Sequence, residues 1–323
     1  MESLPLNLNH PIVREYLALV RLQVLTPLSL LINVATLVVC TLLTNPTLTQ
    51  VARLYPTSIS PYPPSIAIYF LFIFFGQLGY CLLLVLASKP ETKRALTKAV
   101  GLSLVLANWV MAFWAIACVF QWFLAATILQ GVLILLLLYS NIALLTYHPP
   151  TSKRPMDTAL IHAPLRFFLA LPLNILFPYC LFVTLGLSFK PTKPGTPRHY
   201  SAWHAWLGFA VVMSTNLFAL IFIVYRRDFV WCVAATWLCV SIWVESPKPE
   251  PVYITVIAFT ALHPLALIMS HVYARFWSQP TGTGAVALPP GDDALHREAL
   301  ERQSNGAARE ADLEAVWGQG QEQ

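Results

Sequence analysis

The chain has 323 residues, of which 57% are hydrophobic and only 11% are charged, and its formal net charge is +5. A soluble globular domain is about one quarter charged, so this composition excludes an ordinary soluble fold. The charges are also clustered, which leaves uncharged windows longer than the ~18 residues that a helix needs to cross the ~30 Å hydrocarbon layer. Lipid offers no hydrogen-bond partner to the backbone, so each window is predicted to be a helix. The predicted fold class is an all-α integral membrane protein.

In chain order, the apolar windows predict a bundle of about eight transmembrane helices. Their approximate bounds are Pro27–Leu43, Ile66–Ala87, Lys98–Phe120, Trp122–Tyr147, Leu165–Phe189, Trp203–Tyr225, Phe229–Val244 and Tyr253–Tyr273. Only Gln121 and Trp122 separate the third window from the fourth, which predicts a tight hairpin. The predicted organisation is an N-terminal arm (1–26), a membrane domain (27–273) and a flexible, partly helical C-terminal tail (274–323). From Gln279 the tail is rich in Gly and Pro and then alternates charges with Ala and Leu, a pattern typical of a linker followed by a weak, exposed helix.

Lysines and arginines orient the predicted bundle. With the N-terminus in the cytosol, fifteen of the twenty basic residues fall on the cytosolic side, and the five exceptions are Arg53, Lys190, Lys193, Arg198 and Lys248. The positive-inside rule therefore predicts that both termini are cytosolic. The segment Met1–Pro27 lacks the basic, apolar and small-residue order of a cleavable signal peptide. The sequence does not indicate an organelle.

Ionisable residues are rare inside the predicted spans, which limits the chemistry. No span carries a pair of carboxylates near its middle, as a proton antiporter or an acid–base enzyme would need. The chain contains no zinc-protease, nucleophile-elbow, phosphate-loop or Cys-x-x-Cys motif, and its six cysteines lack metal-ligand spacing. The basic residues are spread over loops, which gives no indication of a nucleic-acid partner.

Neutral polar residues form one stripe on the fourth span. Thr127, Gln130 and Asn141 fall within about 60° of one another at ~100° per residue, so the stripe is predicted to face the bundle interior. Two explanations are open: hydrogen bonds between helices, or the polar floor of a ligand cavity.

Three tryptophans are predicted to lie at mid-membrane depth, namely Trp109, Trp114 and Trp237. The other seven are predicted to lie in the aromatic belts at the two membrane interfaces or in flanking segments. An indole N–H needs an acceptor that lipid does not supply, so the three are candidates for the wall of an aromatic pocket. Prolines at 164, 172 and 178 of the fifth span are expected to kink it and open space between neighbouring helices.

Several stretches resemble the translocator/tryptophan-rich sensory (TspO/MBR) group of membrane proteins. They are "PYPPSIAIYFLFIFFGQLGY" (Pro61–Tyr80), "NWVMAFWAIACVFQWFLAATILQGVLILLLLY" (Asn108–Tyr139), "APLRFFLALPLNILFPYCLFVTLGL" (163–187) and "YRRDFVWCVAATWLCVSIW" (225–243). The chain is also similar to fungal multi-pass membrane proteins of unknown function. The resemblance covers roughly Pro61–Glu245, and the chain departs from the group by an added helix at each end and by lacking its Trp-x-Pro-Pro loop pattern.

The resemblance implies a pocket for a tetrapyrrole or a sterol-like molecule, lined by aromatic residues. The candidate ligand-binding residues, from the resemblance and the polar stripe together, are Asn108, Trp109, Phe113, Trp114, Gln130, Asn141 and Trp237. Neither a catalytic residue nor a cofactor is predicted.

Three functions follow, in order of preference. The first is a non-enzymatic binder or transporter of a small hydrophobic molecule. The second is a membrane-embedded lipid or isoprenoid enzyme, such as a cyclase, that uses Asp228 or Glu245 with His263. The third is a structural or assembly subunit that meets a protein partner through its charged tail.

Overall fold

The computed structural model describes residues 11–87, 90–147, 156, 158–189 and 200–277. The helices are α1 (Pro11–Leu42), α2 (Leu48–Leu54), α3 (Pro63–Leu86), α4 (Pro90–Arg94), α5 (Gly101–Val119), α6 (Phe123–Tyr147), α7 (Thr158–Thr184), α8 (Ala202–Arg226), α9 (Phe229–Trp243) and α10 (Glu250–Trp277). The described residues contain no strand. Seven helices are long and apolar enough to cross a membrane, and α9 is a shorter apolar helix. The predicted all-α membrane fold is confirmed.

Successive long helices run in opposite directions, which defines two ends of the bundle. The α2 end holds α2 together with the C-terminal ends of α1, α5, α7 and α9. The arginine end holds Arg226 and Arg227, which follow one another at the end of α8, and the basic residues of α4. Which end faces the cytosol stays a prediction.

Three stretches differ from the sequence-based bounds. Helix α1 begins well before Pro27, because Pro27 lies inside the helix and does not start it. Helix α2 was not predicted, although it begins with a capping box: Thr47 Oγ1 accepts from Gln50 N at 3.2 Å, and Gln50 Oε1 accepts from Thr47 N at 2.9 Å. Helix α7 covers Thr158–Thr184, so it begins and ends earlier than Leu165–Phe189.

Helix α7 is the most buried of the candidate spans, with 67% of its apolar window buried against 28% for α8. Two π-helical segments, Thr158–His162 and Pro172–Leu176, divide it. Each of its prolines, at 164, 172 and 178, stands in the first turn of a segment, where a missing N–H costs little. The three prolines are therefore accommodated without ending the helix.

Contacts divide the chain into a large unit, Met1–His271, and a second unit, Val272–Gln323. Only the last turns of α10 are described in the second unit. The predicted tail from residue 278 and the first ten residues of the predicted arm lie outside the described residues.

Candidate functional site

An apolar cavity of about 130 Å³ lies at the α2 end of the bundle. We call it the α2 cavity. Five helices and two loop residues line it: Leu37 and Thr41 of α1, Leu48, Thr49, Val51 and Ala52 of α2, Ser60 and Pro61 before α3, Pro63, Ile66, Ala67 and Phe70 of α3, Trp114 and Cys118 of α5, and Ile175, Leu176 and Tyr179 of α7. Most of these side chains are apolar, so the cavity suits a hydrophobic group.

Trp114 forms the α5 wall of this cavity and is 3% exposed. Its indole N–H donates to the Cys180 sulfur of α7 at 3.3 Å. The indole is therefore fixed between two helices with its N–H satisfied. Its ring contributes a rigid apolar surface, and Cys118 adds a thiol to the same wall.

The rim of the α2 cavity lies on the side of α1 and α3. Ala67 is exposed, and Thr41 and Phe70 are half-buried. Helix α2 forms another wall, and its Val51 is fully buried.

Ser60 and Pro61, in the loop before α3, line the cavity, and hydrogen bonds to other segments hold this loop in place. Lys248 Nζ donates to the Ser60 carbonyl oxygen at 2.5 Å, and Tyr62 N donates to the Ser241 carbonyl at 2.6 Å. Tyr179 OH donates to the Tyr55 carbonyl at 3.2 Å. These bonds join the loop before α3 to the end of α9 and to the loop after it, and they join the end of α2 to α7, so the walls of the cavity are preorganised.

A chain of three amides crosses the bundle in its interior. Asn33 Nδ2 of α1 donates to Asn108 Oδ1 of α5 at 2.9 Å, and Asn108 Nδ2 donates to Gln77 Oε1 of α3 at 2.8 Å. All three side chains are at most 1% exposed. Asn33 Oδ1 and Gln77 Nε2, at the two ends of the chain, have no hydrogen-bond partner. The amide chain therefore holds α1, α5 and α3 together.

Sequence reasoning did not identify Asn33, although a signal was present. Thr26, Ser29 and Asn33 recur at helical spacing on α1, and each is 1% exposed. A polar stripe of this kind in an apolar helix marks its interior face.

The structure separates the other predicted ligand-binding residues. Trp109 and Phe113 share the outer face of α5, where they are 37% and 51% exposed and their ring centroids are 5.9 Å apart. Gln130 is buried, with Nε2 at 3.7 Å from the Met111 sulfur and Oε1 without a partner. Only Trp114 of the predicted set lines the α2 cavity.

Trp237 finds its acceptor in the protein. Its indole N–H donates to the Ser65 carbonyl in the first turn of α3 at 3.1 Å, and its ring packs edge-on against Phe72. Asn141 lies elsewhere, beside a second cavity at the arginine end. Ligand binding by Asn108, Trp109, Phe113, Trp114, Gln130, Asn141 and Trp237 stays a prediction.

Two of the residues proposed for an enzyme stand at opposite ends of α9. Asp228 caps the start of α9, and Glu245 follows its end, about 22 Å away for a 15-residue helix. His263 is buried in α10, with Nε2 at 3.4 Å from the Asn216 carbonyl oxygen. Within the described residues, no group of three His, Cys, Asp or Glu side chains could hold a metal ion.

An apolar helical bundle with buried amides and a lateral apolar cavity is the architecture of a multi-pass membrane protein. A family model described as "TSPO-like protein" matches residues 22–272, and the chain belongs to this family. The family resemblance predicted from the sequence is confirmed, and the match extends beyond Pro61–Glu245 at both ends. No curated protein and no solved structure matches the chain.

Proposed function

We propose that the protein binds a small hydrophobic molecule in the α2 cavity, without catalysing a reaction. The observation that carries the proposal is the cavity itself: apolar walls from α1, α2, α3, α5 and α7, with Trp114 fixed at its side. An apolar cavity of about 150 Å³ is known to bind benzene. The volume of about 130 Å³ therefore accommodates one ring or branched end of a hydrophobic molecule.

The volume of the α2 cavity distinguishes between the two ligand classes that the family resemblance implies. One end of a sterol-like molecule fits the cavity while the rest lies along the rim between α1 and α3. A flat tetrapyrrole is wider and requires α2 to move further away. We therefore favour a sterol-like ligand, with a tetrapyrrole as the alternative that the same experiment separates.

The experiment is a titration in nanodiscs with sterols, isoprenoids, protoporphyrin and haem, read by tryptophan emission. Ala52→Phe in α2 fills the cavity and is expected to abolish saturable binding. Ala202→Phe, at an exposed position at the start of α8 that does not line the cavity, serves as the matched control. Binding that survives Ala52→Phe would refute the proposal.

Thiol labelling gives an independent measurement of occupancy. Cys118 lines the cavity, so a bound ligand is expected to slow its reaction with a small maleimide. A Cys118→Ala variant identifies the labelled site among the six cysteines. Comparing Trp114→Phe with Trp109→Phe and Trp237→Phe in the same titration measures whether the other predicted aromatic residues contribute.

A further inference from the structure

A second cavity of about 100 Å³ lies at the arginine end, on the opposite half of α7. We call it the arginine cavity. Its walls come from α6, α7, α8 and α9, and they are largely apolar and aromatic: Ile134, Leu138, Asn141, Ile142, Leu145, Arg166, Leu169, Leu173, Phe218, Phe222, Arg226, Asp228 and Trp231. The Phe222 and Trp231 rings lie 5.7 Å apart and form an aromatic wall.

Charged groups occur at one end of this cavity only. Arg166 NH1 lies 2.5 Å from Asp228 Oδ2, and the two side chains are 8% and 4% exposed. Asp228 also accepts from the N–H groups of Val230 and Trp231. The buried arginine and carboxylate thus compensate one another.

Arg226 adds a further positive charge to the same lining. It is exposed and forms no ion pair with a described carboxylate. The lining contains two arginines and one aspartate, so it carries a net positive charge beside the apolar part of the arginine cavity.

The apolar wall of the cavity reaches the outer surface of the bundle. Ile142 of α6 is 54% exposed and Phe218 of α8 is 41% exposed, and both line the cavity. In a membrane-spanning helix such side chains face acyl chains. An apolar wall towards the hydrocarbon, with an arginine at the membrane edge, matches the two parts of a phospholipid.

We propose that the arginine cavity is a binding site for an anionic glycerophospholipid. The net negative headgroup binds Arg226 by charge-assisted hydrogen bonds, and one acyl chain enters between Ile142 and Phe218. The Arg166–Asp228 pair forms the polar end of the cavity and limits how far the headgroup enters. This site is separate from the α2 cavity and does not depend on the ligand proposed there.

The chain contains a matched control for this proposal. Arg226 and Arg227 are neighbouring, exposed arginines at the same end of α8, but only Arg226 lines the cavity. Diffuse attraction to an anionic surface is similar for both, whereas a defined site depends on Arg226 alone.

The experiment measures lipids bound to the full-length protein by native mass spectrometry, with equal amounts of phosphatidylserine and phosphatidylcholine offered in mixed micelles. Wild-type protein is expected to retain phosphatidylserine preferentially. Arg226→Gln is expected to reduce this preference about fivefold, the factor that corresponds to about 1 kcal/mol per arginine at an anionic surface. Arg227→Gln is expected to leave it unchanged.

Two further measurements test the acyl chain and the source of the phosphate. Leu138→Trp fills the cavity and is expected to lower phosphatidylserine retention even though Arg226 is present. In the second measurement, inorganic phosphate is added as a competitor of bound phosphatidylserine. If it displaces the lipid as effectively as added phosphatidylserine does, the site binds free anions and the proposal is overturned. An equal loss of preference in Arg226→Gln and Arg227→Gln would overturn it as well.

Discussion

Replacing Asp228 by Asn tests the buried ion pair that joins α7 to α9. Asn keeps an oxygen that can accept from Val230 and Trp231 N–H, so the cap of α9 is retained and only the charge is lost. Arg166, whose side chain is 8% exposed, is then left unpaired. Breaking a buried ion pair on one side costs about 3–5 kcal/mol. We expect about 3 kcal/mol, the lower end of that range, because the arginine cavity opens beside Arg166.

The assay is reversible unfolding in mixed micelles, with helix content as the signal. Asp228→Ala also removes the cap and is expected to cost about 1 kcal/mol more than Asp228→Asn. The double variant Arg166→Met/Asp228→Asn removes both charges and is expected to recover most of the loss, because apolar replacements of buried pairs are often neutral. The reasoning predicts that buried Arg166 needs the charge of Asp228. It would be refuted if the free energy of unfolding of Asp228→Asn lay within about 0.5 kcal/mol of the wild-type value.

The remaining predictions use the same unfolding assay. Asn108→Ala removes both bonds of the amide chain and is expected to cost about 1 kcal/mol, from about 0.6 kcal/mol per interhelical bond; no change would mean that lipid or water replaces the amide. Gly76→Ala is expected to cost about 1–3 kcal/mol, because the added Cβ would lie 2.9 Å from a Pro164 side chain. Gly131→Ala, whose nearest neighbour is at 3.7 Å, is expected to be near neutral, and equal costs for the two would contradict close packing at Gly76. Trp237→Phe is expected to cost about 0.6 kcal/mol through the lost bond to Ser65, whereas Trp109→Phe, on the outer face of α5, is expected to cost less.

The sequence predicted where the chain crosses the membrane much better than which side chains meet. Apolar windows define α3, α6, α8 and α9 to within a few residues, because hydrocarbon forces each window into a helix. The start of α1 was missed because its first turns carry charges. The bounds of α7 were displaced because π-helical segments absorb its prolines, which periodicity at 100° per residue does not reveal.

The candidate site was harder to predict, because helical spacing gives faces but not their partners. A spacing of four residues puts Trp109 and Phe113 on one face of α5, but only packing decides that this face is outward. Trp114 was selected for its depth, and the same criterion selected Trp237, whose N–H bonds to Ser65 of α3. The pairing of Arg166 with Asp228 joins residues 62 positions apart, and neither residue indicates the other in the sequence.

Helix α7 contributes to both cavities, through Arg166, Leu169 and Leu173 on one side and Ile175, Leu176 and Tyr179 on the other. Among the described helices no other lines both, since α2 borders only the α2 cavity and α8 only the arginine cavity. A shift of α7 along or about its axis therefore changes two surfaces at once, although no single α7 residue lines both cavities. Substitutions in α2 or α8 change one surface and leave the other intact. The shape of either cavity can thus be altered independently through its peripheral helix, while α7 has to fit both.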